Sequence, residues 1–332
     1  MRLPILDLAQ WSKNPVAFAR ELRQAAHNVG FFQIRHGRSD VAVSALNATT
    51  KFFSLSKQQK MAIDYRLSPA FRGYMEVGVE NTGGKIDMRE QIELAVEGEP
   101  CPAGALPAYR RLEGPNQWPD DALPELRPAL LEFADLCKHV SKQLTAALCA
   151  ALQVRAGAMD SVFRDGAHWQ LKAARYLSGG GGEDSFGVGA HSDSGFLTLL
   201  LQDSHGLQVH AGGDWVDVPP AGPSVLVCNL GEVAEMMTGG YLLATPHRVL
   251  RCNRISIPFF YNPSLSSVVE PLQLPRNLPS ERAAGHVQRH WRSPDNQYLA
   301  EYGMNAFKSL ARSHPQVMVR HHPDLVPMFE YA

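Results

Sequence analysis

The stretch Gly189-Ala190-His191-Ser192-Asp193-Ser194-Gly195, followed directly by the apolar run 196–201, carries the strongest structural signal in this chain. Its two metal-ligating residue types, His191 and Asp193, stand two positions apart. Side chains at that spacing point to the same side of an extended backbone, so an imidazole and a carboxylate can meet at one point. So short a pair also fits two surface residues, or a histidine in a simple hydrogen bond. It therefore predicts a metal site only together with a further ligand.

A third ligand stands 54 residues beyond Asp193, in Thr245-Pro246-His247-Arg248-Val249. The intervening sequence holds several predicted strands, enough for the chain to return beside the first pair in a double sheet. Two neutral imidazoles and one carboxylate form the facial triad of non-haem iron(II) oxygenases, which leaves three coordination positions open. We therefore predict that His191, Asp193 and His247 are the metal ligands and the catalytic centre.

Arg254 and Ser256 follow His247 by seven and nine positions, and they share one face of a predicted strand. A guanidinium fork beside a hydroxyl suits the distal carboxylate of a dicarboxylic acid, because arginine binds carboxylates through two parallel hydrogen bonds. Taken alone, the two residues would also fit the surface of a sheet. Their position behind three ligands in order favours a co-substrate site.

Short strands separated by turns dominate residues 168–261, which is typical of a sandwich or jelly roll. The clearest signal is a hairpin in which strands at 207–210 and 215–218 are joined by a glycine-rich turn. Further strands are predicted at 31–34, 91–96, 224–230 and 254–261. We expect a mainly β fold with flanking helices, in which a double-stranded β-helix (jelly-roll) core carries the site.

The first half of the chain is mostly helical by its apolar spacing. Three helix starts are signalled by capping residues: Asn14 before Pro15, Asp40, and Ser56 with Gln59 three positions on. The longest apolar stripe extends from about 125 to 154 and predicts a long helix that packs on the core. Residues 295–312 again have a helical pattern.

Neither an internal repeat nor a linker interrupts the chain, so we expect one oxygenase domain over residues 1–332. Within it we expect an N-terminal, mostly helical region at 1–165, the jelly-roll core with the iron site at 166–265, and a C-terminal helix and tail at 266–332.

Composition narrows the choice of partner. The chain has 332 residues, with 32 basic and 33 acidic residues, and lacks the basic excess typical of nucleic-acid-binding proteins. The five cysteines are scattered without a C-x-x-C pair, which argues against a disulfide framework or a cysteine-rich zinc site. No signal peptide or membrane helix is predicted. We expect a cytoplasmic monomer that binds a small-molecule substrate, and neither nucleic acid nor membrane.

Several further segments stand in the order of one known family. They are Pro4-Ile5-Leu6-Asp7-Leu8, Gly30-Phe31-Phe32-Gln33-Ile34 with His36-Gly37, Phe71-Arg72-Gly73-Tyr74, Ala174-Arg175-Tyr176, Gly206-Leu207-Gln208-Val209, and Phe259-Phe260-Tyr261-Asn262-Pro263. Together with the ligand segments, they make nearly the whole chain resemble the isopenicillin N synthase-like superfamily of Fe(II)/2-oxoglutarate-dependent oxygenases, which includes the plant-type dioxygenases. The glycine run in Ser178-Gly179-Gly180-Gly181-Gly182 departs from the family pattern, and we interpret it as a flexible loop.

The resemblance implies a jelly roll whose open mouth holds Fe(II), with 2-oxoglutarate as co-substrate and O2 as oxidant. It implies that Arg254 and Ser256 bind the C5 carboxylate and that Tyr176 hydrogen-bonds co-substrate or substrate. By position it also suggests substrate-lining residues: Arg72, Tyr74, Glu93 and Phe260. For these four a structural role remains open, as ion-pair partners (Arg72, Glu93) or core residues (Tyr74, Phe260).

The activity implied is oxidation of a substrate C–H bond, with hydroxylation as the default outcome and succinate and CO2 as co-products. Three alternatives stay open at this point. An oxidase of the same fold, of a ring-forming or ethylene-forming type, would work without 2-oxoglutarate. A non-catalytic jelly-roll binding module would need no ligand triad. A zinc hydrolase can also use two histidines and a carboxylate.

Overall fold

The computed structural model describes residues 2–82, 84–179, 186–278 and 298–329. Residues 180–182 of the glycine run and 295–297 of the expected C-terminal helix lie outside these described residues.

The strands are β1 (Ile5–Asp7), β2 (Phe31–Arg35), β3 (Gly73–Met75), β4 (Asn81–Thr82), β5 (Lys85–Ile86), β6 (Arg89–Ala95), β7 (His168–Tyr176), β8 (Val188–His191), β9 (Leu197–Gln202), β10 (Leu207–Ala211), β11 (Asp214–Asp217), β12 (Val225–Leu230), β13 (His247–Val249) and β14 (Arg254–Asn262). The helices are α1 (Ala9–Lys13), α2 (Pro15–Asn28), α3 (Ser39–Ser54), α4 (Lys57–Met61), α5 (Leu126–Ala151), α6 (Glu232–Met237), α7 (Tyr302–Ser313), α8 (Pro315–His321) and α9 (Val326–Phe329).

Two sheets form the jelly roll. In the described part of the chain, the larger sheet has eight strands in the order β1-β2-β12-β9-β14-β7-β6-β3, and the smaller has four in the order β11-β10-β13-β8. The expected jelly-roll fold is confirmed. The first half of the chain contributes β1, β2, β3 and β6 to the large sheet. The boundary expected near residue 165 therefore divides strands that hydrogen-bond to one another, such as β6 and β7.

Strand β14 shows how the large sheet separates a structural face from a functional face. Its odd-numbered residues from Ile255 to Tyr261 are buried in the core beneath the helices. Its even-numbered residues from Arg254 to Asn262 line the main cavity instead. Successive side chains of a strand point to opposite faces, so one apolar strand can pack on helices and build a site.

Helices α2, α3 and α5 cover the outer face of the large sheet, where α3 and α5 contact β14. The long helix predicted from its apolar stripe is α5, and its stripe residues Phe133 and Leu144 are fully buried. Packing of such a stripe against a sheet supplies most of the stability of a helix in a protein. Among the described residues, none of the helices combines the length and the apolar character that crossing a bilayer requires.

Two of the three predicted helix caps are confirmed. The Asn14 side chain accepts a hydrogen bond from the Ala17 amide at the start of α2, and Ser56 with Gln59 forms the capping box of α4. The prediction that Asp40 caps the next helix is wrong. Helix α3 begins at Ser39, and the Asp40 carboxylate accepts a hydrogen bond from the Arg38 guanidinium at 2.8 Å instead.

Phe259 offers a test of the structural face, because it is fully buried in the centre of the large sheet and stacks on Trp169. We expect Phe259→Ala to lower the free energy of unfolding by about 3–5 kcal/mol, since it removes a large side chain and leaves a cavity. Val319→Ala, at a valine that is 67% exposed, is the control and should change it by about 0.5 kcal/mol or less. Urea denaturation measures both, and equal losses would contradict this packing.

Candidate active site

A cavity of about 450 Å³ opens between the two sheets. Strands β7, β9 and β14 of the large sheet line it on one side, and β8 and β13 of the small sheet line the other. Helix α7 contributes Tyr302, Ala306 and Leu310 to its wall. A volume of this size is typical of a site for a small molecule.

Strand pairing brings the two predicted histidine ligands together. Strands β8 and β13 are antiparallel, and His191 and His247 are direct partners across the pair. Their ring centroids lie 4.3 Å apart, and Phe31 packs edgewise against the His247 ring. The hydrogen-bonded ladder thus brings together two histidines that are 56 positions apart in the sequence.

Asp193 joins the histidines by a different route from the one that the sequence suggests. The prediction assumed extended backbone from His191 to Asp193, but β8 ends at His191 and Asp193 lies in the loop before β9. That loop is held by the start of α6, where the Glu232 amide donates to the Asp193 carbonyl at 2.8 Å. Gly231 permits this close approach, because a Cβ atom there would lie 2.1 Å from the Gly195 carbonyl oxygen.

The Asp193 carboxylate uses its two oxygens differently. Oδ2 accepts hydrogen bonds from the Thr198 hydroxyl at 2.5 Å and the Asn229 amide at 2.7 Å. Oδ1 lies 3.7 Å from the Nε2 atoms of both His191 and His247. These three ligand atoms lie within 4.8 Å of one another. Ligand atoms that bind one ion at about 2.0–2.2 Å lie at most about 4.4 Å apart. Both Oδ1–Nε2 distances, at 3.7 Å, are within that limit, so the set fits a single metal ion.

Hydrogen bonds on the far side of each ring orient the imidazoles. His191 Nδ1 lies 2.9 Å from the Gly189 carbonyl oxygen, and His247 Nδ1 lies 3.2 Å from the Thr245 carbonyl oxygen. A carbonyl only accepts, so each Nδ1 carries the proton and each Nε2 keeps its lone pair. This is the arrangement that a metal ligand needs.

Protonation also favours metal binding. Burial, together with the neighbouring His247 ring, lowers the pKa of His191 from 6.5 to about 4, so this imidazole is neutral at pH 7. Burial alone would raise the pKa of Asp193. The two imidazoles and the hydrogen bonds from Asn229 and Thr198 outweigh burial and keep its pKa below the usual value. The site therefore presents a neutral His191 imidazole and an ionised Asp193 carboxylate.

Arg254 points its guanidinium into the same cavity. It is 3% exposed, its Nη2 donates to the Gln202 side chain at 2.9 Å, and it lies over the Tyr176 ring. Within the described residues, its Nε and Nη1 atoms have no hydrogen-bond partner. Burial lowers its pKa from 12.5, yet the group stays cationic at neutral pH. A buried cation with two unused donors fits an incoming carboxylate.

Ser256 and Tyr176 complete this donor group. The Ser256 hydroxyl lies 3.4 Å from the Tyr176 hydroxyl, and both side chains line the cavity beside Arg254. They meet because β14 pairs with β7, with Arg254 directly opposite Tyr176. Thus the metal-ligand group and the carboxylate-binding group that the sequence predicts face one cavity.

Of the four residues suggested for the substrate, only Phe260 lines the cavity. The Arg72 guanidinium donates instead to the carbonyls of Val96 and Leu112, both at 2.8 Å. Tyr74 lies in the core beneath the helices, where its hydroxyl donates to Glu90 at 2.6 Å. Tyr74 thus has the core position that the sequence left open, whereas Arg72 binds backbone carbonyls and not the acidic partner that the sequence left open for it.

Glu93 stands behind the wall of the cavity, where its Oε1 accepts from Lys172 at 2.5 Å and from Gln91 at 2.7 Å. It acts on the cavity through Lys172, which does line it. Three other charged or titratable residues of the wall were not singled out from the sequence: Glu80, Arg89 and His314. For Lys172 the signal was a charge between the apolar residues Leu171 and Ala173 of a strand. For Glu80, Arg89 and His314 no comparable local signal exists.

Two family models match this chain. Residues 3–121 match the N-terminal domain described as non-haem dioxygenase in morphine synthesis, and residues 168–263 match the 2OG-Fe(II) oxygenase superfamily. The second match contains the three candidate metal ligands together with Arg254 and Ser256.

Curated relatives agree over nearly the full length. The 2-oxoglutarate-dependent dioxygenase frbJ of Dothideomycetidae sp. (strain 11243) is 33% identical over 97% of this chain and 90% of its own. The homoarginine-6-hydroxylase 2-ODD-C23.2 of Arabidopsis thaliana is 30% identical over 88% of this chain and 82% of its own.

Among solved structures, a full-length Neurospora crassa protein crystallised in complex with alpha-KG has the same fold, with a TM-score of 0.76. The two chains are 23% identical, and the match covers 94% of this chain and 96% of that one. The family expected from the sequence is confirmed. This chain belongs to the 2OG-Fe(II) oxygenase superfamily and is a 2-oxoglutarate-dependent dioxygenase that uses Fe(II) and O2.

Proposed function

We propose that His191, Asp193 and His247 hold the Fe(II) ion of this enzyme. The observation that carries the proposal is the convergence of their three ligand atoms within 4.8 Å. Two neutral imidazoles and one carboxylate are the donor set that non-haem Fe(II) oxygenases use. The hydrogen bonds to Gly189 and Thr245 keep both Nε2 lone pairs directed at the ion.

We further propose that Arg254, Ser256 and Tyr176 bind the distal carboxylate of 2-oxoglutarate. Arg254 supplies two unused donors from a buried position, and the two hydroxyls add donors beside it. Gln202 holds the guanidinium in place through its side-chain oxygen. Without a carboxylate, the cation would remain buried with unsatisfied donors, which is costly.

When bound, Fe(II) and 2-oxoglutarate would provide the electrons that reduce O2, coupled to oxidation of a substrate C–H bond. Succinate and CO2 are the products formed from 2-oxoglutarate. The residues of this chain bind and orient the reactants. We propose that the reaction is hydroxylation of a small molecule in the cavity, with Phe260 as part of its apolar lining. The Arabidopsis relative, named as a homoarginine hydroxylase, supports a small polar substrate. We also propose that the whole chain acts as one oxygenase domain.

An anaerobic optical titration of the apo-protein with Fe(II) and 2-oxoglutarate tests these assignments. We expect a visible metal-to-ligand charge-transfer band, which His191→Ala abolishes because one imidazole ligand is lost. Arg254→Ala should keep the band, but the 2-oxoglutarate concentration at half-saturation should rise at least about tenfold, because a charge-assisted hydrogen-bond pair is removed. Arg127→Ala, at an exposed arginine on α5, is the matched control. An unchanged band in His191→Ala would refute the ligand assignment.

Asn229 tests the support of the carboxylate ligand. Its amide donates to Asp193 Oδ2 at 2.7 Å and leaves Oδ1 directed at the imidazoles. We expect Asn229→Ala to weaken Fe(II) binding about 10–100-fold, as loss of a hydrogen bond behind a metal ligand typically does. Asn47→Ala, at an exposed position of α3, serves as the control. Equal Fe(II) affinities of the two variants, measured by competition with a chelator, would show that Asn229 does not orient the ligand.

A further inference from the structure

One wall of the cavity carries charges of both signs. The Glu80 carboxylate lies 2.8 Å from His314 Nε2 through one oxygen and 3.2 Å from an Arg89 nitrogen through the other. The Lys172 ammonium lies 2.5 Å from Glu93, and ligand atoms of Glu80, Glu93 and His314 lie within 4.8 Å of one another. Glu80 and Lys172 therefore present a negative and a positive charge close together.

These groups are mostly withdrawn from solvent, yet they face the cavity. The side chains of Glu80 and Lys172 are 11% and 20% exposed, and both line the cavity together with Arg89 and His314. Removing charges from water costs several kcal/mol per ion, and buried ion pairs contribute little net stability. A role in stability alone therefore explains this wall poorly.

The wall also has unused bonding capacity. Lys172 has three N–H donors, and Glu93 is its one ion-pair or hydrogen-bond partner among the described residues. The Nε of Arg89, whose side chain is 10% exposed, has no hydrogen-bond partner within the same residues. The two carboxylates already face Lys172 and Arg89, so a second metal ion would be repelled there. An organic ligand that carries both a donor and an acceptor fits better.

We propose that this wall binds the α-amino-acid head group of the substrate, with Lys172 on the carboxylate and Glu80 on the ammonium group. The inference rests on the proposed function, since it concerns the substrate of the same cavity. Arg89 is a positioning residue that pairs with one oxygen of the Glu80 carboxylate, and His314 lies against the other oxygen. Glu93 positions Lys172 in the same way.

Charge balance favours a zwitterion over a simple ion. A purely anionic ligand at Lys172 would meet the Glu80 carboxylate, and a purely cationic ligand at Glu80 would meet Lys172 and Arg89. Like charges at short range are strongly unfavourable where water is excluded. The ammonium and carboxylate groups of an α-amino acid are attached to one carbon, so they can contact Glu80 and Lys172 at the same time.

The strand geometry then orients the rest of the substrate. Lys172 and Tyr176 are on the cavity side of β7, and four residues of strand span about 13 Å. Tyr176 flanks Arg254, so a substrate carboxylate held by Lys172 would lie away from the proposed 2-oxoglutarate carboxylate site. The side chain of the amino acid extends along the cavity, and a side-chain carbon, not the α-carbon, is the expected site of oxidation.

Two charge-neutralising variants test the proposal on the Fe(II)·2-oxoglutarate complex. The probes are the proteinogenic L-α-amino acids and chain-extended homologues of the basic ones. Each active probe is compared with its α-carboxamide, which lacks the carboxylate, and with its Nα-acetyl derivative, which lacks the ammonium charge. Perturbation of the charge-transfer band reports binding, and O2-dependent succinate release reports turnover.

We expect intact amino acids to bind at least about tenfold more tightly than either derivative, because each derivative loses one charge-assisted contact. Lys172→Met should weaken binding of the amino acid but not of its α-carboxamide, so the two should bind equally well to this variant. Glu80→Gln should weaken binding of the amino acid but not of its Nα-acetyl derivative, so these two should bind equally well to that variant. Exposed positions of α5 supply the matched controls Lys142→Met and Glu132→Gln, which should leave both differences intact.

Each other outcome has a distinct meaning. If the band forms but no amino acid perturbs it, or if amides and acetyl derivatives bind equally well, the head-group site is refuted while the proposed function stands. If Lys172→Met and Glu80→Gln weaken all probes equally, the charged wall only maintains the shape of the cavity. If no charge-transfer band forms in the wild-type protein, the proposed iron and 2-oxoglutarate sites fail instead.

Discussion

The antiparallel pairing of β8 with β13 is the contact on which the candidate active site depends. It sets His191 directly opposite His247, so that two imidazoles from distant parts of the chain face one point. The carboxylate of Asp193 completes the group from a loop that α6 holds by backbone hydrogen bonds. Register matters here because a shift by one residue would turn one imidazole to the other face of the sheet.

The central strands β9 and β14 of the large sheet each pack against helices on one face and line the cavity on the other. On β14 and β9, alternate side chains pack beneath α3 and α5, while the intervening ones reach the cavity. The apolar face makes the sheet rigid, because close-packed cores resist displacement. The polar groups on the other face, Arg254 and Ser256 among them, are therefore held on a stiff support, which favours precise positioning of bound reactants.

Buried charge distinguishes the two ends of the cavity. At one end Arg254 keeps two donors unused beside two hydroxyls, a pattern suited to an acidic co-substrate. At the other end Arg89 pairs with Glu80 and Lys172 pairs with Glu93, while His314 Nε2 lies 2.8 Å from the Glu80 carboxylate. The triad lines the same cavity as both groups, so the reactive position is shared by an anion-binding end and a mixed-charge end.

Local patterns were sufficient for the elements and for the ordered ligands. The apolar stripe of α5, the hairpin β10–β11 and the spacing of His191, Asp193, His247, Arg254 and Ser256 are all properties of short segments, and alternation along a strand already placed Arg254 beside Ser256. Position within the family pattern did not suffice for the substrate residues: Arg72 and Tyr74 turned to backbone carbonyls and to Glu90, away from the cavity.

What only the tertiary structure decided are the contacts between distant segments: Asn229 on Asp193, Gln202 on Arg254, and His314 on Glu80. The spacing of these residues does not predict their contacts, because sheet register and helix packing select partners that are 36, 52 or 234 positions away. The sequence by itself determined which chemistry the chain can perform, because ligand types and their order are local. The packing decided which side chains hold those ligands in place and which charges face the substrate, because long-range contacts exist only once the sheets and α7 have assembled.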